Sequence, residues 1–390
     1  MSRKDFIRAD GTRLVNDRGE TFQIRGVNLG NWFVPEDYMS AADVGSFETG
    51  IYTVERGLRA MRQNPKLTEE QIRELYDIYM QSYITESDFR EIAELGLNTV
   101  RIPFCWRDLS DDGATPRADG FRYIDWALEM CEKYGLYAVL DLHGAIGSQN
   151  MDFHCGDDEH FDLYGNPENR AKTITLWKAI AGRYKDRRVV LGYDLLNECR
   201  KAPYKFGGKI CCDYYDELYK AVRSVDPDHL IFIEYFTFPI HGVGVKHYNW
   251  DNVAVEYHIY NLTPFSQRMC LEMIRAMHLV SGNTKVPVYI GEFNAWDKVG
   301  DWDVTIDFFD KHGWSWSSWC YKANEYPYRG ERYAKEHDGR DWGPFVLNQK
   351  PVNLATADFE EIAAAYRATV TSKARKTYIY DFYQRRLQKK

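Results

Sequence analysis

The stretch VVLGYDLLNE at residues 189–198 is a short, nearly unbroken apolar run that closes on an amide and a carboxylate. Such a run reads as a strand buried on both faces, as in a parallel sheet covered by helices. Two adjacent polar side chains, Asn197 and Glu198, are costly to bury unless the chain leaves its core there and delivers them to a site. The stretch VPVYIGEFN at 286–294 repeats the pattern and ends on Glu292 and Asn294. Six further runs share the character: TFQIRGVNLG (21–30), NTVRIPF (98–104), LYAVLDLHG (136–144), HLIFIEYF (229–236), NVAVEYHIY (252–260) and GWSWSSWCYK (313–322).

Amphipathic segments separate most of these runs. ITESDFREIAELG (84–96) opens on a capping Thr85 and stops at Gly96, and YIDWALEMCEKYG (123–135) has i, i+3, i+4 apolar spacing and stops at Gly135. Eight strands alternating with helices, and no second compositional block, predict one α/β domain, a single (β/α)8 TIM barrel over 21–350. Residues 1–20 read as an N-terminal extension and 351–390 as a C-terminal helical extension beginning at ATADFEEIAAAYRATV (355–370), with the Lys and Arg of the tail on a solvated face. The segment after the first run is long and holds LTEEQIRELYDIYMQS (67–82), whose Thr68 and Gln71 form a capping box, so the first loop is elaborated.

Composition narrows the function. Aromatics make up 15% of the chain, with 11 Trp and 28 Tyr, enough to line a groove with flat rings as well as fill a core. Such rings stack on the apolar faces of sugars. The net charge of −8 gives no basic surplus for nucleic acid, and no apolar run reaches membrane-spanning length. The N-terminus has no apolar signal core, so the expected location of the chain as written is cytoplasmic, or secreted if a signal has been removed. None of the eight cysteines forms a CxxC pair, which favours free, mostly buried thiols.

Active sites of barrels of this kind lie at the carboxyl ends of the strands. There the sequence puts Arg101 on the second run, Asp141 and His143 on the third, Asn197 and Glu198 on the fourth, His258 and Tyr260 on the sixth, Glu292 and Asn294 on the seventh and Trp319 on the eighth. Glu198 and Glu292 are 292 − 198 = 94 positions apart, yet the fourth and seventh strands face each other across a barrel mouth. Paired carboxylates suit glycoside hydrolysis, one as nucleophile and one as proton donor. Arg101 is placed to hold Glu292 ionised, and Asn197 to bind a sugar 2-hydroxyl.

From about residue 20 to 350 the chain resembles the retaining glycosidases of glycoside hydrolase family 5, nearest the exo-β-1,3-glucanase branch. GVNLGNWFVPEDYM is similar to that branch's first-strand motif, with Trp32 and Glu36 matching its tryptophan and its subsite glutamate. YITESDFREIAELGLNTVRIPF and DLHGAIGSQN resemble the second- and third-strand signatures. LLNE and IGEFN match the acid/base and nucleophile motifs, which implies those roles for Glu198 and Glu292. HIY matches the His-x-Tyr motif whose tyrosine contacts the nucleophile, and SSWCYK keeps Trp319 in register as the sugar platform. The resemblance implies carbohydrate or glycoside substrates and no cofactor. It leaves open a β-1,6-glucanase, a glycolipid- or flavonoid-glycoside-cleaving enzyme and a transglycosylase. It says nothing of oligomeric state.

Two departures bear on substrate. NEC stands where the family has Asn-Glu-Pro, and the loop MDFHCGDDEHFDLYGN (151–166) is unusually acidic and His-bearing. A metal site at Asp152, His154, Asp157 and His160 is one reading of that loop. A polar loop that reshapes the sugar subsites is the favoured one. Other classes carried alongside are a metal-dependent hydrolase using His143, Glu198, His258 and Glu292, and a sugar-binding pseudo-enzyme, which the presence of both glutamates disfavours. The stretches 37–83, 145–166 and 323–345 are expected to wall off one end of the groove and give exo action.

Overall fold

Each β-branched run pairs with the next in parallel, and the helix between them covers the outer face. The result is a closed barrel of eight strands: β1 (Arg25–Asn28), β2 (Thr99–Cys105), β3 (Tyr137–Gly144), β4 (Val190–Asp194), β5 (Leu230–Glu234), β6 (Val253–Tyr260), β7 (Val288–Asn294) and β8 (Ser315–Ser318). Neighbours follow chain order and β8 closes on β1, every pair parallel. The computed structural model describes residues 4–44, 52–202, 205–206, 208–235, 244–261, 265–295, 299–325 and 341–388.

The local signals act as expected. Thr68 and Gln71 form a reciprocal capping box on the helix Glu69–Tyr83, and Thr85 with Asp88 does the same for Glu86–Glu94. Gly135 ends the helix Arg122–Tyr134 in the left-handed region, at φ +77°, where a β-carbon is disfavoured.

Three runs differ from a single continuous strand. Thr21–Phe22 pairs antiparallel with Arg13–Val15, and β1 begins only at Arg25, so the run 21–30 is divided between two sheets. β4 ends at Asp194, before Leu195–Glu198. The run 313–322 breaks after Ser318, and Lys322–Asn324 joins another small sheet with Phe345–Leu347 and Arg375–Lys376. Apolar continuity in sequence cannot show a strand changing partners.

The N-terminal hairpin closes the bottom of the barrel. Ile7 and Leu14 pack on Ile24, Val139, Leu191, Leu230, Phe232, Ala254 and Tyr289, a cluster separate from the main core between strands and helices. Polar chemistry is thereby confined to the opposite end. All eight cysteines are free, and seven are buried. Among the described residues no helix is long and apolar enough to cross a membrane.

The last helix, Tyr378–Leu387, is amphipathic. Ile379, Tyr380, Phe382, Tyr383 and Leu387 are buried, while Arg385 and Arg386 pair with Asp303 and Asp307. The hydroxyls of Tyr383 and Ser318 are 2.5 Å apart, and the Tyr383 ring lies edge-on to Trp302 at 5.8 Å. Replacing Tyr383 by Ala removes a fully buried ring behind β8. The expected loss is about 3–5 kcal/mol, read as a lower urea midpoint at unchanged slope; a loss under about 1 kcal/mol would show that this helix does not support the barrel.

Candidate active site

The centre of the site is Arg101, which points from the middle of β2 into the barrel and is fully buried. Its Nε and Nη2 donate to Asp194 Oδ2 at 3.0 and 2.7 Å, its Nη1 to Asn28 Oδ1 at 3.0 Å and to Glu292 Oε1 at 2.8 Å, and its Nη2 to Asn197 Oδ1 at 2.9 Å. Asp141 Oδ2 lies 3.0 Å from Nη2 and Glu256 Oε1 3.7 Å from Nε. Burial alone would lower its proton affinity, but Asp141, Asp194, Glu256 and Glu292 together hold it well above the ordinary guanidinium range.

Glu292 sits on β7 opposite His258 of β6. While Arg101 holds Oε1, the Tyr260 hydroxyl donates to Oε2 at 2.7 Å. Burial, then the carboxylate it donates to, raises the Tyr260 phenol well above its usual range, so it stays a donor.

Glu198 lies past the last residue of β4, on a backbone with φ +46°. A non-glycine residue there needs its surroundings to impose the conformation. The neighbouring segments do so. Asn197 N–H donates to Leu142 O, Glu198 N–H to Glu234 Oε2 at 2.5 Å, and the side chains of Gln149 and Asn150 donate to the carbonyls of Asn197 and Glu198. The carboxyl of Glu198 is 8% exposed as a residue and is flanked by two imidazoles. His258 Nδ1 is 2.8 Å from Oε1 and His154 Nε2 is 3.2 Å from Oε2.

The remaining sequence candidates surround these two. His143 Nδ1 is 2.7 Å from Asp141 Oδ2, and its Nε2 faces Asn197 at 3.4 Å and Glu36 at 3.9 Å. Burial holds His143 well below the usual imidazole range and brings His258 down to about 4, so both are neutral rings at neutral pH. Burial pushes Glu36 up to about 8, which makes its carboxyl a hydrogen-bond donor as well as an acceptor near pH 7. Trp319 lies nearly parallel to His143 at 5.5 Å, and its Nε1 donates to the Tyr38 hydroxyl at 2.8 Å. Nine of the residues singled out in the sequence, Glu36, Arg101, His143, Asn197, Glu198, His258, Tyr260, Glu292 and Trp319, converge at one end of the barrel.

Sequence reasoning missed several neighbours. Asp194, Glu234 and Glu256 stand inside GYDLL, FIEYF and VAVEYH, where a carboxylate in a strand with no other polar residue beside it was a visible signal. Burial, then neighbouring carboxylates, raises Glu234 and Glu256 well above the carboxylate range. Tyr38 and Trp342, whose rings are 4.5 Å apart, had no signal in their local sequence.

The loop 151–166 does not assemble the four-ligand metal site considered for it. His154 faces Glu198, whereas His160 pairs with Asp157 at 2.7 Å on a separate turn. Among the described residues, Glu198, His258 and Glu292 bring potential ligand atoms within 4.8 Å of one another. Arg101 and Tyr260 already fill both oxygens of Glu292, and a guanidinium at 2.8 Å opposes a second cation. His143 is not in that group.

A closed (β/α)8 barrel with two glutamates facing each other at its carboxyl end defines a glycosidase class of site. Residues 58–325 match the family model described as Cellulase (glycosyl hydrolase family 5). The chain belongs to glycosyl hydrolase family 5 and is a glycoside hydrolase. It is 30% identical over 320 residues to a glucan 1,3-beta-glucosidase of Candida oleophila, covering 76% of this chain and 72% of the relative. It is also 30% identical over 266 residues to a beta-xylosidase of Phanerodontia chrysosporium, covering 67% of this chain but only about half (53%) of that relative's length. In fold it is similar to the rutinosidase from Aspergillus niger, with a TM-score of 0.61 at 15% identity, covering 89% of this chain and 98% of that one.

The proton inventory of the site predicts a stability profile. Glu36 and Asp141 (each about 8), both raised by burial, take up protons on folding above pH 4, as does His154 (about 9) above pH 6.5. Each such contribution is complete below the unfolded value and is lost as pH rises toward the folded one. The melting temperature should therefore be several degrees lower at pH 8 than at pH 6 by scanning calorimetry; a rise over that interval would contradict these assignments.

Proposed function

We propose that this enzyme is a retaining, exo-acting β-glycosidase that cleaves β-glucosidic linkages by double displacement, with Glu292 as nucleophile and Glu198 as acid/base. One observation carries the reading. The ligand atoms of Glu198 and Glu292 lie within 4.8 Å of one another, near the about 5–5.5 Å of retaining enzymes and short of the about 6.5–9.5 Å that leaves room for an inverting water.

In this reading a Glu292 oxygen attacks the anomeric carbon while Glu198 gives its proton to the departing glycosidic oxygen. Glu198 then takes a proton from water, whose oxygen displaces Glu292. Asn197, fixed by Arg101, faces the 2-hydroxyl, and Trp319 lies under the sugar. Azide separates the roles. Glu292→Ala should lose on the order of 10⁴-fold or more in kcat, with azide giving a glycosyl azide of inverted configuration. Glu198→Ala should keep more activity on good leaving groups and give the retained azide. Inverted azide from Glu198→Ala would exchange the two assignments.

Support for exo action comes from how closed the sugar-binding residues are. Glu36, His143 and Trp319 are all buried, and Tyr38 packs between Phe153 of the loop 145–166 and Trp342. Of the other expected walls, 45–51 and 326–340 lie outside the described residues. The family model's own description, Cellulase, favours the second reading, an endo-acting glucanase. On a long β-glucan the exo reading expects glucose from the first minutes with viscosity almost constant. A fast fall in viscosity with mixed oligosaccharides would establish the endo reading.

A further inference from the structure

His154 is the residue of the unusual loop that the proposed chemistry does not use, and its surroundings are built. It sits in a single 3-10 turn, Phe153–Cys155, started by Asp152, whose side chain caps the Phe153 N–H, and ended by Gly156 at φ +79°. The loop is stitched to the segment carrying Glu198: Gln149 Nε2 donates to Asn197 O, Asn150 Nδ2 to Glu198 O, and Arg200 N–H to Gln149 O. The side chains continue the join, with Arg200 Nη2 2.8 Å from Asp152 Oδ2, Asp152 Oδ2 3.6 Å from His154 Nε2, and that nitrogen 3.2 Å from Glu198 Oε2.

The other groups around the ring are Asn150 and Asn197 Nδ2, the His143 ring at 5.9 Å, and the carboxyls of Glu36, in the loop after β1, and of Asp141 on β3, both of which burial raises to about 8. Burial disfavours an imidazolium here, but Glu198 and Asp152 outweigh it and raise His154 to about 9. The two oxygens of Glu198 therefore meet different partners: a neutral His258 on Oε1 and a cationic His154 on Oε2.

We propose that His154 is a positioning residue that works through Glu198, storing on Nε2 the proton that Glu198 Oε2 delivers to the leaving oxygen. This inference rests on the acid/base reading of Glu198. In the first step the proton passes from His154 Nε2 to Glu198 Oε2 and on to the glycosidic oxygen, as the C–O bond breaks and a Glu292 oxygen bonds to the anomeric carbon. The imidazolium becomes neutral and Glu198 is again a carboxylate. In the second step a water proton passes to Glu198 Oε2 and back to His154, while the water oxygen bonds to the anomeric carbon and the Glu292 ester breaks. The pair keeps one transferable proton to a higher pH than a lone carboxyl does, because an imidazole gives it up last.

The test is the pH profile of kcat/KM for His154→Gln on an aryl β-glucoside with a poor leaving group. The basic limb should move down by at least about one pH unit, so the variant loses about tenfold relative to wild type near pH 8 and little near pH 5.5. A uniform loss with the limb in place would mean a merely structural role and overturn the inference. Should that variant fold poorly, the His154 ring resonance in the wild type and in Glu198→Gln decides. It should titrate well above the ordinary imidazole range and fall in Glu198→Gln; an ordinary value in both overturns the pairing. If Glu198→Ala lost equally on good and poor leaving groups, the acid/base reading would fall and the relay with it. An unmoved limb beside a normal Glu198→Ala result overturns the relay alone.

Discussion

One buried guanidinium organises the open end of this barrel. Arg101 reaches Asp141, Asp194, Glu256 and Glu292 on four strands, together with Asn28 and Asn197. Among such carboxylates a single cation decides which remain charged. A buried pair of this kind is weak evidence of stability, and breaking it leaves uncompensated charge costing about 3–5 kcal/mol. Its value here is geometric. The planar fork of arginine fixes several partners at once, which the point charge of lysine cannot do. Glu292 and Asn197 thereby come into register on elements far apart in sequence.

A second constraint is the division between the two ends of the barrel. The N-terminal hairpin seals one end with Ile7 and Leu14 over an apolar floor. The other end gathers carboxyls whose proton affinity burial raises, Glu234 and Glu256 among them. Glu234 accepts the N–H of Glu198, so this layer supports the left-handed backbone that turns Glu198 toward Glu292. Loop 145–166 adds a third layer, binding the same backbone from outside and bringing His154 to the carboxyl.

Much of this was legible in the sequence, for physical reasons. Period and caps marked the strands and helices, since a strand buried on both faces must be apolar and Thr68, Thr85 and Gly135 have steric and hydrogen-bonding work to do at helix ends. Seven of the nine candidates drew notice because polar side chains at strand ends stand out against apolar runs, while Glu36 came from the motif resemblance and Trp319 from an aromatic strand end kept in register by it. What escaped depends on distance in the chain. The run 21–30 is split by pairing with a hairpin that precedes it, and Tyr38 meets Trp342 across some 300 positions (342 − 38 = 304). His154 was noticed for its type but read beside Asp157 and His160, since nothing local tells that its ring turns inward to Glu198 while His160 pairs with Asp157 on a separate turn.

The central claim is that a covalent bond forms on Glu292, and trapping tests it most directly. A 2-deoxy-2-fluoro-β-glucoside with an activated leaving group slows both steps and lets the glycosyl-enzyme accumulate. Mass spectrometry of the intact chain followed by peptide mapping should show one added fluoroglucosyl group, on the peptide carrying Glu292. The label on Glu198, or no label together with release of the α-anomer from a natural β-glucoside, would contradict the account.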